Sequence, residues 1–304
     1  MNYIGIDLGT SAVKLLLMEG SGKILKIVSR EYPICFPKPG WSEQNPYDWF
    51  TQSMDGLKEL LDGTDRSLVA GISFGGQMHG LVALDDKDEV IRPAILWNDG
   101  RTTKECDYLN QVIGKERLSA YTANISFTGF TAPKVLWMKN NEPENFAKIH
   151  KIMLPKDYLA FRLSGNYSTD VSDASGTLFF DVKNRCWSEE MCEICGVRKE
   201  QLAKVYESYE TVGTLLPEIV TTSMSVAIYG MFIAIITPVA RRDKAVAICV
   251  LISIALSCAF RYVPFLSSVP DGFVIIICAV VASTVAALLF PVNAENEEVA
   301  ADET

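Results

Sequence analysis

Apolar residues fall in short runs at the front of the chain and in long uninterrupted ones at its back. The front opens with "YIGIDLG", passes Thr10 and Ser11, and resumes as "VKLLLM"; "GSGK" then turns the chain into "ILKIVSREY". Three such runs with tight turns predict an antiparallel meander. In "NPYDWFTQSMDGLKELLDG" the period changes. Apolar residues fall at helical spacing, Asn45 stands at the capping position, Pro46 opens the helix and Gly63 marks its end. "LVAGISFGG" predicts a strand entering a glycine turn, and "VIRPAILWND" another strand. "APKVLWMKNNEP" and "PKDYLAFRLSG" predict helices. The mixture predicts an α/β domain with one buried sheet over residues 1–220.

The back of the chain has a different pattern. Ser223–Ala240, Ala245–Phe260 (16 residues) and Phe273–Val292 (20 residues) contain no charged side chain. A bilayer core takes about 20 apolar residues as a helix. Residues 221–304 are therefore expected to form an all-α membrane segment of about three helices; the alternative is a set of buried helices in a soluble second domain. Small residues in "AVVASTVAALL" suit close helix packing. Arg261 reads as a snorkelling interface residue, and "NAENEEVAADET" as a solvated tail.

Charge sharpens the break. Lys and Arg total 28, and only Arg241, Arg242, Lys244 and Arg261 lie after residue 222; of 37 acids, seven do. The front is an ordinary, mildly acidic composition. It has no basic run of the kind nucleic acid requires, so no nucleic-acid partner is expected. Eight cysteines in a chain this long read as reduced thiols, and the Cys192–Cys195 pair as two thiols on a helix face. "MNYIGIDLGTSAVKLLLMEG" lacks a basic start and carries Asp7 within its apolar stretch, unlike a secretory signal.

Two places could carry chemistry. In Asp7-Leu8-Gly9-Thr10-Ser11-Ala12-Val13-Lys14 a carboxylate ends a strand. A glycine, two hydroxyls, free amides and a lysine follow, a set that suits phosphate oxygens, with Asp7 able to hold Mg²⁺ through water. Taken alone it is equally a hairpin turn. In "GGQMHGLVALDDKDEVIRPAILWNDGR", Gln77, Met78 and His79 present an amide, an apolar wall and an imidazole on one loop. Trp97, Asp99 and Arg101 add an indole face, a carboxylate and a guanidinium. Both sets suit a polyol. The alternatives are a structural histidine at His79 and a core aromatic at Trp97.

"YIGIDLGTSAVKLLL", "GWSEQNP", "GGQMHG", "RPAILWNDGR", "GFTAPKVLWM", "LPKDYLAFRLSG", "TDVSDASGTLFFDV" and "LLPEIV" together resemble the xylulokinases among the FGGY carbohydrate kinases, over residues 1 to about 220. The resemblance implies a ribonuclease-H-like domain of the actin/hexokinase type, incomplete here, with ATP and Mg²⁺ as cofactors and D-xylulose or a similar polyol as substrate. It implies that Asp7 serves catalysis at the metal and phosphate end, that Thr10, Ser11 and Lys14 form the phosphate turn, and that Met78 and His79 contact the sugar. In the family a glycine-rich segment bearing the general base follows "LLPEIV", and a second domain binds the adenosine. Neither is recognised in the sequence, so the expectation is an inactive xylulokinase-like kinase. Loss of a base alone costs about 10²–10⁴-fold.

The tail resembles the C-terminal part of the large subunit of branched-chain amino-acid exporters, through "SMSVAIYGMFIAIITPVARRDKAV" and "LSCAFRYVPFLSSVPDGFVIIICAVVASTVAALLFPV". The expected partner is a lipid bilayer and the expected location the membrane, with the kinase-like domain cytoplasmic if functional. The basic connector at Arg241, Arg242 and Lys244 favours the cytoplasmic side, which with three spans would place the front domain outside. That conflict gives the alternatives: an exporter fragment, or a non-functional chimeric reading frame joined near Thr221 or Thr222.

Overall fold

The computed structural model describes residues 1–217 and 219, with helical positions at 246, 248, 250–256, 277, 278, 280–282, 284 and 285. Strands β1 (Asn2–Leu8), β2 (Ala12–Glu19) and β3 (Ile24–Glu31) form the antiparallel meander. Gly22 turns β2 into β3 at φ 89°, a left-handed value that glycine adopts without strain. Alternation in β1 buries Asn2, Ile4, Ile6 and Leu8 and leaves Asp7 exposed on the other face.

After the short strand β4 (Glu43–Gln44) comes α1 (Pro46–Leu60). The Asn45 side chain accepts from the Tyr47 amide at 3.2 Å, and Pro46 fixes the first turn. Trp49, Leu57 and Leu60 of α1 are buried with Ile4, Ile6, Leu8, Leu15 and Leu17 of the sheet. The helix stops at Leu60, and Gly63 at φ 73° belongs to the turn beyond it. Strand β5 (Val69–Gly76) then pairs parallel to β1, giving the sheet order β3-β2-β1-β5.

The remainder is built from shorter pieces: β6 (Val82–Leu84), β7 (Ala94–Ile95), α2 (Thr103–Asp107), α3 (Lys115–Thr122), α4 (Thr131–Asn141), α5 (Pro143–Ala147), β8 (Lys151–Met153), α6 (Pro155–Ser164), β9 (Ser168–Asp170), α7 (Val171–Ser175), β10 (Phe180–Asp181), β11 (Cys186–Trp187), α8 (Glu189–Cys195) and β12 (Lys204–Tyr206). The strand expected across "VIRPAILWND" shrinks to β7, which pairs with β4. The single expected sheet is one four-stranded sheet accompanied by two-stranded pairs, because Pro and Gly interrupt the later strands. A second apolar core gathers Leu81, Ile95, Val135, Leu136, Met138 and Phe179, and it buries Cys192 and Cys195 on α8.

The described contacts divide the chain into two units, Met1–Val220 and Thr221–Thr304. The membrane expectation for the second unit does not stand: among the described residues no helix is long and apolar enough to cross a membrane. Most of the three apolar stretches on which it rested lies outside the described residues.

Candidate functional site

In α/β sheets ligands collect beyond the carboxyl ends of parallel strands. Here β1 and β5 are the parallel neighbours, and they end together, with Asp7 opposite Gly75 and Leu8 opposite Gly76. Glycine is required at 76, where an added Cβ would stand 2.9 Å from Leu8 Cβ and 3.0 Å from its carbonyl oxygen. The Gln77 amide donates to the Leu8 carbonyl at 2.7 Å, so the loops after the two strands leave the sheet side by side.

A buried amide knits the loops together. Gln44 Nε2 donates to the Thr10 carbonyl at 2.7 Å, while Gln44 Oε1 accepts from Trp49 Nε1 and from Gln77 Nε2, each at 3.1 Å. The Tyr32 hydroxyl donates to the Gly9 carbonyl, and burial together with the nearby Asp7 charge pushes its pKa up. Trp97 Nε1 donates to Thr10 Oγ1 at 3.0 Å, which joins the two stretches singled out in the sequence. Asp7, Ser11 and Lys14 are exposed around this turn, with Asp7 and Lys14 directly opposite across β1 and β2.

His79 is half-buried and takes a left-handed backbone conformation at φ 64°. Its carbonyl accepts from Lys134 Nζ at 3.0 Å and Thr131 Oγ1 at 3.1 Å, both from the first turn of α4. Its ring lies 4.7 Å from the Phe130 ring on one side and against Gly176 on another. Burial lowers its pKa and the Lys134 charge adds to this, against the Gly176 backbone and Asp173. The Gly176 backbone lies within reach of the ring, but Nδ1 of His79, like Oε1 of Gln77 and Nη1 of Arg101, is buried and makes no hydrogen bond of good geometry among the described residues. Met78 and Trp97, 50% and 45% exposed, flank them as open apolar surface.

Asp99 and Arg101 differ from the sequence expectation. Both side chains are fully enclosed, paired with each other at 2.7 Å. The Asp99 carboxylate also accepts from the Ser42 amide at 2.6 Å, and the Arg101 guanidinium lies 3.7 Å over the Trp41 ring while pairing with Glu43. Both side chains are enclosed by protein, although Nη1 of Arg101 is buried without a partner, so neither presents an open surface as Met78 and Trp97 do.

Sequence reading missed Gln44, Tyr32, Lys134, Asp173 and Gly176. Lys134 left a trace, a single charge within the apolar run "APKVLWM"; the others reach the site only through the tertiary fold. Near Gly176, Lys156 pairs with Asp157 at 3.2 Å, with Asp173 at 3.1 Å and with Asp170. Mg²⁺ takes one or two carboxylates and fills its shell with water and phosphate oxygens. Exposed Asp7 beside the hydroxyls of Thr10 and Ser11 fits that donor set. Among the described residues no cluster of three or more ligating side chains offers a fuller cage.

The model of the FGGY family of carbohydrate kinases, N-terminal domain, matches residues 2–232. The chain belongs to this family. It is 43% identical over 217 residues to xylulose kinase of Escherichia coli (strain K12), covering 71% of this chain and 44% of that protein. To xylulose kinase of Bacillus subtilis (strain 168) it is 45% identical over 222 residues, covering 72% and 44%. A solved structure of a xylulose kinase from Brucella ovis superposes with a TM-score of 0.69 at 40% identity, covering 72% of this chain and 46% of that one. The α/β fold of actin/hexokinase type expected from the FGGY resemblance therefore stands for the front of the chain. The chain spans less than half the length of these curated relatives. The FGGY match runs past the join expected at Thr221 or Thr222, to residue 232.

Proposed function

We propose that residues 1–220 form the sugar- and phosphate-facing half of a xylulose kinase-like site. They bind D-xylulose or a similar polyol. The observation that carries the sugar reading is the pair of buried, unpartnered polar atoms on one loop, Gln77 Oε1 and His79 Nδ1, beside the open apolar faces of Met78 and Trp97. A buried polar atom without a partner is costly, and a ligand hydroxyl relieves that cost. The xylulose kinases of E. coli and B. subtilis support the choice of sugar.

At the other end the Gly9–Ser11 turn and Lys14 would face the transferred phosphate, and Asp7 would hold Mg²⁺, which neutralises charge developing on the phosphate oxygens. Phosphoryl transfer rests on positioning and on a group that orients the attacking hydroxyl. The FGGY resemblance places that base, and the grip on adenosine, beyond residue 220.

The test is calorimetric titration of the full chain with D-xylulose, run beside an assay of ADP release with ATP and Mg²⁺. Saturable heat is the expected result, and its absence overturns the sugar reading; ADP release that depends on D-xylulose would extend the reading to phosphoryl transfer.

A further inference from the structure

Lys134 has no exposed surface, and the site chemistry leaves its charge unused. Other buried cations nearby pair with carboxylates, as Arg101 does with Asp99 and Lys156 with Asp170. The Lys134 ammonium instead donates to two main-chain carbonyls, His79 at 3.0 Å and Gly129. A cation enclosed this way costs stability. Burial, the largest influence, and then Arg101 push its pKa down to about 7, against the pull of Asp99 and Cys106.

The two carbonyls belong to different loops. The His79 loop carries the unpartnered polar atoms. Gly129 packs so tightly beneath Trp97 that an added Cβ would stand 2.7 Å from the Trp97 carbonyl oxygen. The next residue, Phe130, lays its ring against the His79 ring. From the same helix end the Ala132 amide donates to the Thr177 carbonyl at 2.9 Å, which ties in the segment holding Gly176 against His79. A left-handed non-glycine residue such as His79 persists only where its surroundings over-determine it.

We propose that Lys134 is a positioning residue: its ammonium ties the His79 carbonyl to the Gly129 carbonyl and so fixes the imidazole, and with it the pocket for the sugar. The sugar part of this inference rests on the function proposed above; the imidazole part does not.

The sequence contains two histidines, His79 and His150, so imidazole NMR of the full chain reads His79 with His150 as internal reference. Lys134→Met keeps the stem and removes the donor and the charge. The expected result is a displaced His79 signal with a higher titration midpoint, an unmoved His150 signal, and D-xylulose affinity lower by about tenfold. Lys134→Arg, which restores charge and donors, is expected to recover most of both. A folded Lys134→Met protein with an unchanged His79 signal and midpoint overturns the proposal. Should Lys134→Met fail to fold, Lys134→Gln removes the charge and shortens the reach to the His79 carbonyl. A displaced His79 signal then supports the tether, and an unchanged one overturns it. If wild type binds no D-xylulose while His79 still responds to Lys134→Met, the sugar reading fails and the positioning stands.

Discussion

Replacing Gly176 by alanine puts a methyl group where the His79 ring now lies. The added Cβ would stand 2.6 Å from His79 Nδ1 and closer still to Cε1. Carbon contacts are comfortable at about 3.5–4.0 Å, so the ring has to withdraw by roughly 1 Å. With the Phe130 ring 4.7 Å away the imidazole has little free space, and the ring is expected to rotate. An off-rotamer ring costs about 0.5–1.5 kcal/mol. Gly176 itself has φ −85° and ψ 0°, a conformation alanine adopts, so the backbone adds no strain. The less flexible unfolded chain returns about 0.4–1 kcal/mol. The two effects nearly cancel, and global stability is expected to change by less than about 1 kcal/mol. Function should respond far more strongly, since a misplacement of about 1 Å costs up to about 10²-fold at a positioned group. Urea unfolding and D-xylulose titration of Gly176→Ala and wild type separate the two. A folded variant with unchanged sugar affinity and an unchanged His79 NMR signal would refute the placement of the ring.

Gly129→Ala is expected to behave in the opposite way. Its Cβ would meet the main-chain oxygen of Trp97 at 2.7 Å, which cannot rotate aside, so overpacking should cost about 1–3 kcal/mol and lower the melting temperature. An unshifted melt would contradict it. Arg101→Met strands the fully enclosed Asp99 carboxylate and is expected to destabilise by about 3–5 kcal/mol in urea unfolding, whereas a loss below about 1 kcal/mol would show that the pair is not buried as described. Burial, partly offset by Lys156, raises the Asp157 pKa from 3.8 to about 6. A carboxyl that holds its proton longer when folded stabilises the fold at low pH and loses that contribution as pH rises from about 4 to 6. Asp157→Asn should flatten the dependence over that window, and identical slopes in the two proteins would exclude Asp157 as its source.

The meander, α1, α4 and α6 were legible because local signals agreed with the tertiary outcome: tight turns between apolar runs, Asn45 and Pro46 at a helix start, and a run of apolar residues in "APKVLWM" that the fold buries throughout. The stretch from Thr103 to Thr122 was not. Its helices α2 and α3 bury only two side chains each, so the surrounding fold sets them. Among the candidate site residues, Gln77, Met78, His79 and Trp97 stand out in sequence as unusual side chains near glycines. Asp99 and Arg101 looked identical in kind, yet Trp41, Glu43 and Ser42, more than 50 residues earlier, enclose them. Sequence spacing cannot tell a presented guanidinium from a covered one.

The two ends of the site are built differently, and this bears on how sugar and nucleotide communicate. Each loop proposed to face the sugar is anchored within the described part of the front domain: Gln77 by Gln44, His79 by Lys134 and Thr131, and Trp97 by Thr10. Such a surface needs little ordering when a ligand arrives, so it should bind without help. Around the phosphate turn, Asp7, Ser11 and Lys14 are exposed. Two ligands couple only if each favours a state the other also favours. With a preformed sugar surface and an open phosphate turn, saturating ATP and Mg²⁺ should leave the D-xylulose dissociation constant within about twofold of its value alone, equivalent to a coupling under about 0.4 kcal/mol. Titration of the full chain with D-xylulose, with and without ATP and Mg²⁺, measures this directly. A tightening of tenfold or more would show that the nucleotide orders the sugar loops, and the preformed description of residues 77–79 would have to be abandoned.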